Sequence, residues 1–162
     1  MGGYVIKEAF EGLVQHELRK GCRMLKYKSG YAYYTAEAVE VPVEFACPDF
    51  PLAVVSDTWM WCRQGRLVIR ARYAWDGASF VLFRWFGTPT TWLLPSLVHD
   101  ALYGALRDGQ LGRQYRDAID QLFYRHLRAR GVSWLVATVA YYCVRIGGNF
   151  AVRTTNPVRE AV

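Results

Sequence analysis

The sequence predicts a single α+β domain over residues 1–162: antiparallel strands first, then three helices, of which the first two form an antiparallel hairpin. Three observations predict it. Short runs between residues 31 and 73 alternate apolar and polar side chains with the period-two pattern of half-exposed strands. From residue 95 onward, apolar residues recur at helical spacing. Between the first two helical stretches, Asp108-Gly109-Gln110-Leu111-Gly112 is a two-glycine break, so short that the helices must fold back on each other.

Residues 9–25 carry some helical spacing through Leu13, Leu18 and Leu25, interrupted by Gly12 and Gly21, and fit strand-and-turn structure equally well. Residues 31–35 and 38–45 read as strands. In the second, valines and Phe45 alternate with Glu40, Pro42 and Glu44, and Pro42, which cannot donate to a ladder, predicts an edge position. Cys47-Pro48-Asp49-Phe50-Pro51 reads as a turn, residues 52–55 and 66–73 as further strands, and Gln64-Gly65 as a hairpin loop.

Residues 95–107 are the first helix, with Pro95 at its start because a missing N–H is harmless there. Residues 113–129 are the second. Ser133, after Gly131, caps a third over 133–145, stopped by Gly147-Gly148-Asn149. The apolar run 132–144 is too short to span a bilayer and reads as a core helix; the tail 154–157 reads as extended.

Composition narrows the function classes. Eleven Tyr, eight Phe and six Trp exclude a disordered chain. The net charge of +6, with sixteen arginines among the twenty basic residues, fits a solvated or partner-facing surface or an anionic lipid surface. The basic residues are scattered and no helix-turn-helix, zinc-finger or RNP pattern is present, so sequence-specific nucleic-acid binding is not expected. Cys22, Cys47, Cys62 and Cys143 form no C-x-x-C pair and read as reduced, buried small hydrophobes. No apolar signal core follows Met1-Gly2-Gly3-Tyr4, and no transmembrane segment is expected.

The chemistry concentrates on the hairpin. In an antiparallel pair, residues equally distant from the turn face each other, and His99 and Asp120 are symmetric about the Gly109–Gln110 junction. Tyr103, one turn after His99, then approaches Arg116. A carboxylate opposite a histidine fixes its tautomer and raises its basicity. Asp100 points away from His99, toward another surface. Asp76 and Ser79, in Trp75-Asp76-Gly77-Ala78-Ser79, either make a structural turn or are delivered from the sheet edge toward His99. Ser96 shares a helix face with His99, which leaves a Ser–His arrangement open. His126 reads as surface or interface.

Trp75-Asp76-Gly77-Ala78-Ser79, His99-Asp100-Ala101-Leu102-Tyr103 and Arg116-x-x-Ile119-Asp120-x-x-Phe123, with Gly131-Val132 and Tyr142-Cys143-Val144-Arg145-Ile146-Gly147-Gly148 behind them, resemble a family of small phage and prophage proteins. That family is the domain of unknown function numbered thirteen fifty-three. The resemblance covers residues 65–148, departing at Phe80-Val81, where the pattern has I-P, and at Ile119, where it has alanine. It implies a viral or prophage origin and no particular activity.

The His99-Asp100 helix is also locally similar to that of secreted phospholipases of the A-two type, which carry C-C-x-x-H-D-x-C-Y and an aspartate on the antiparallel partner. This similarity implies that His99 is a general base, Asp100 a calcium ligand, and Tyr103 and Asp120 the groups that hold the histidine. The flanking cysteines are absent, Leu102 standing in place of one, and no Y-G-x-G calcium loop is found.

Two functions follow. In one, the chain is a phage-encoded, metal-assisted His/Asp hydrolase acting on lipid or another ester, with His99, Asp120 and Tyr103 catalytic, Asp100 on calcium, and Asp76, Ser79 and Arg116 in support. In the other, it is a non-catalytic tail, neck or baseplate component in which the same residues are a structural network, its partners being virion proteins or copies of itself. Either places it in the host cytoplasm or the assembled virion.

Overall fold

The computed structural model describes residues 33–44, 59–63, 65–75, 77 and 89–151. Within them the predicted class is found: antiparallel strands, then three helices. Strands β2 (Val39–Pro42), β3 (Met60–Arg63) and β4 (Arg66–Ile69) form an antiparallel sheet in the order β2-β4-β3. The register aligns Val39 with Ile69 and Met60, and Val41 with Leu67 and Cys62. Because side chains alternate across a strand, these six all face one side, and all are buried. Glu40 and Pro42 face the other way, and Pro42 lies on the outer strand, as its missing donor requires. Gly65, with φ +74°, turns β3 into β4.

The strand expected to run to Tyr73 ends at Ile69. Arg72 takes a left-handed φ of +69°, which a continuing strand does not allow. Buried Thr35 holds the bend: its hydroxyl donates to the Arg70 carbonyl at 2.7 Å and accepts from the Tyr73 amide at 3.0 Å. The chain then pairs as β5 (Ala74–Trp75) with β1 (Tyr33–Tyr34). The bend delivers two buried aromatic side chains to the first helix. Trp75 Nε1 donates to Ser96 Oγ at 3.2 Å, and the Tyr73 hydroxyl to Asp100 Oδ2 at 2.8 Å.

Helix α1 spans Thr90–Arg107 and starts five residues earlier than expected, with Pro95 inside it. The proline sits in the second turn, so the ladder loses one bond, to the carbonyl of exposed Thr91, which water can reach. Gly109, at φ +73°, reverses the chain, and Leu111 tucks its amide onto the Ala105 carbonyl at 3.1 Å. A 3-10 turn at Arg113–Tyr115 leads into α2 (Arg116–Ala129). A Schellman turn closes α2: Gly131 (φ +80°) donates to Arg128 and Val132 to Leu127, each at 3.1 Å.

Helix α3 is Trp134–Ala151, capped by Ser133 Oγ, which accepts from the Val136 amide at 3.4 Å. It continues through Gly147-Gly148-Asn149, contrary to expectation. Gly148 marks a close helix crossing rather than a stop, since a Cβ there would lie 2.5 Å from the Tyr103 hydroxyl. Nor is the 132–144 run wholly core. Ala137 and Ala140 are buried, but Trp134, Leu135, Val136, Val139 and Tyr142 are exposed.

One hydrophobic cluster joins the sheet to α1 and α2, and a second joins Trp92 of α1 to Phe123 and Leu127 of α2 and to Ala137 and Ala140 of α3. Among the described residues no helix is long and apolar enough to cross a membrane. Cys62 is buried, as expected, whereas Cys143 is exposed; Cys22 and Cys47, and the readings for residues 9–25, 47–55 and 154–157, lie outside the described residues.

Candidate functional site

The hairpin brings together the four residues that its symmetry singled out. His99 Nε2 lies 2.9 Å from Asp120 Oδ1, and the Tyr103 hydroxyl donates to the same oxygen at 2.6 Å. Arg116 Nε donates to the Tyr103 hydroxyl at 3.1 Å and stands 3.8 Å from Asp120 Oδ2. Asp120 is fully buried, and the His99 side chain is 14 % exposed. The imidazole lies against two rings tilted to it, Tyr103 at 4.2 Å and Phe123 at 4.9 Å between centroids. Its Nδ1 has no hydrogen-bond partner among the described residues.

The electrostatics fix which atom carries which proton. Burial alone would push the Asp120 carboxyl up, but hydrogen bonds from His99 and Tyr103 and the Arg145 guanidinium outweigh it and hold the group below the usual carboxylate range. Asp120 is therefore ionised. Burial and the bond to Asp120 push the Tyr103 phenol up, so it remains a donor. An ionised acceptor facing Nε2 fixes a proton on that nitrogen, so in the neutral tautomer of the ring the lone pair is on Nδ1.

The third helix completes the network with residues that sequence reasoning did not place in the site. Arg145 Nη1 reaches Asp120 Oδ2 and Asp117 Oδ1, each at 3.2 Å, and the Tyr141 hydroxyl donates to Asp117 at 3.2 Å. Arg116 Nη2 donates to the backbone carbonyls of Val144 and Arg145. The absence of a side chain at Gly148 leaves room for this, because a Cβ there would also meet Arg116 Nη2 at 2.9 Å. The four-residue spacing of Tyr141 and Arg145 puts them on one helix face, but only the docking of α3 shows which face meets the hairpin.

Asp100 does point away from His99, and what it meets is Tyr73, whose hydroxyl donates to Oδ2, and Arg107, whose Nη2 is 3.7 Å from Oδ1. A phenol O–H and a guanidinium are donors, whereas calcium needs several oxygen acceptors. No cluster of three His, Cys, Asp or Glu side chains that could hold a metal ion is found among the described residues. Ser96 is committed elsewhere: its hydroxyl donates to the Leu93 carbonyl at 2.9 Å and accepts from Trp75, so it does not pair with His99. Asp76 and Ser79 lie outside the described residues.

His126 is not at the surface. It is 6 % exposed. Burial, with the charges of Arg130 and Arg125, pushes its pKa down to about 4. Its place in an arginine-rich stretch suggested exposure, but the helix turns it inward beside buried Leu127 while Arg125 is exposed.

No protein-family model, no curated protein and no solved structure matches the chain.

Proposed function

We propose that the protein is a hydrolase of esters, lipid esters first among them, with His99 as general base. The observation that carries this reading is the divided imidazole: Nε2 is fixed against fully buried Asp120, while Nδ1 has no partner among the described residues. As a water oxygen attacks the ester carbonyl carbon, its proton passes to Nδ1, and Asp120 stabilises the imidazolium. When the bond to the leaving alcohol breaks, the same proton passes to the alcohol oxygen, and His99 returns to its neutral form. Tyr103, Arg116 and Arg145 position Asp120. The motif resemblance supports a phage or prophage origin, with action in the host cytoplasm or the virion.

The test is release of fatty acid from anionic phospholipid vesicles, and of alcohol from a short-chain ester, by wild type and His99→Gln, each with calcium and with a chelator. The expected result is a rate ~10²–10⁴-fold lower in the variant, with both proteins melting within a few degrees. A wild type that hydrolyses neither substrate, with a variant that melts much lower, would overturn the reading.

That outcome would favour the second reading, a non-catalytic virion component. One observation supports it: both Asp120 oxygens are already engaged by donors from all three helices, so the network can lock the fold without any substrate.

A further inference from the structure

Helix α3 has two faces of different character. Ala137, Ala140, Tyr141, Arg145 and Gly148 face the hairpin, as described above. On the other side Trp134 is 63 % exposed, Leu135 57 %, Val139 53 %, Tyr142 59 % and Ile146 73 %. Single exposed apolar residues are ordinary, but a contiguous patch of this size on one helix is not.

Leu135, Val139, Tyr142 and Ile146 are spaced by four, three and four residues. That is the alternation of the inner positions of a coiled coil, which repeat every 3.5 residues and insert into a facing helix. From Val132 to Val144 the chain carries no charge. Arg145, which would flank such a seam, turns its guanidinium inward to Asp120 and Asp117. The stripe can therefore meet its own image without like-charge repulsion, although the whole chain is at +6.

We infer that α3 is the interface of a homodimer, two copies pairing through Leu135, Val139, Tyr142 and Ile146 across a two-fold axis. A two-fold interface must be self-complementary, and an uncharged apolar seam is. The area fits as well. The four seam side chains and Trp134 are each more than half exposed, roughly 600 Å² in all at ~200 Å² per large side chain, the greater part of the ~800 Å² that each partner contributes to a standard interface. A helix made for a lipid surface instead carries Lys and Arg along its polar face. Here that face holds Tyr141 and Arg145, both spent on the hairpin. The inference stands independently of the reading of His99.

The test is sedimentation velocity of the full chain over a concentration series, with Val139→Glu/Ile146→Glu as the disrupting variant. The wild type is expected to sediment as a dimer, and the variant to dissociate about 100-fold more readily or more, with an unchanged circular dichroism spectrum. Should the variant fail to fold, a second measurement keeps the idea exposed. In a Cys22→Ser/Cys47→Ser background, exposed Cys143 beside the seam should be joined to its twin by a short bismaleimide, and Cys143→Ser should abolish the product. A wild type that stays monomeric at high concentration, a dimer that survives the double glutamate, or flotation of the chain with anionic vesicles in place of self-association would each overturn it.

Discussion

The hairpin holds two histidines, His99 on α1 and His126 on α2, and their surroundings are opposites. His99 faces an ionised carboxylate on one side, keeps its other nitrogen without a partner among the described residues, and is partly exposed. His126 is buried and sits near Arg125 and Arg130, which push its pKa down to about 4. An anion beside an imidazole favours its protonated form, whereas burial among cations opposes it. One end of the hairpin thus sets its imidazole against an anion, and the other sets its imidazole among cations that oppose protonation. The charge facing each ring is what distinguishes the two histidines.

The largest expected effect comes from taking the anion away from His99. Asp120→Asn should lower the hydrolytic rate by ~10²–10⁴-fold, since the amide no longer stabilises the imidazolium. It should also lower the melting temperature, because Arg116 and Arg145 lose their buried partner. His126→Gln should leave the rate within twofold. Equal losses in the two variants, measured by initial rates, would erase the distinction.

A stability measurement sharpens the His126 side. Between an ordinary histidine value of 6.5 and about 4, the unfolded chain binds a proton that the folded chain refuses. Stability from this group is full above about pH 6.5 and falls as the pH drops, by about 3 kcal/mol at pH 4. Asp120 acts in a lower window, because its folded pKa is depressed and its contribution is lost only as the pH falls through that value. Urea melts at pH 7 and pH 4.5 should differ accordingly in wild type and much less in His126→Leu. Equal slopes in both would mean that another group sets the acid limit.

A smaller effect probes how α3 supports His99. Gly148→Ala places a methyl against the Tyr103 hydroxyl and Arg116 Nη2, and should cost ~1–3 kcal/mol by overpacking. Gly147→Ala, where nothing lies within 4 Å, should be neutral or slightly stabilising. Chemical denaturation of the pair checks this.

The part of the site that was legible in the sequence is the part that local geometry dictates. Once Asp108–Gly112 is read as a tight reversal, equal distance from it pairs His99 with Asp120 and Tyr103 with Arg116, whatever the rest of the chain does. Arg145, Tyr141 and Asp117 were not legible, because they meet only through the docking of a third helix. The two misread glycines have the same origin. Gly147-Gly148 looks like a helix stop, and only the neighbouring Tyr103 and Arg116 show that Gly148 is there for clearance. Likewise the apolar run of α3 announces burial on all sides, and its exposed half is apparent only once the hairpin has used the other half. The strand cut short at Ile69 depended on Thr35, which is thirty-eight residues from Tyr73 in sequence and bonded to it in the fold.

The central claim is that Asp120 holds His99 Nε2–H while Nδ1 has no partner among the described residues. Nitrogen-15 NMR of the histidine rings at neutral pH tests it directly. In the neutral ring the proton is expected on Nε2 and not on Nδ1, with that single-tautomer signature lost in Asp120→Asn. A proton found on Nδ1, or a His99 ring that averages between tautomers in the wild type, would contradict it.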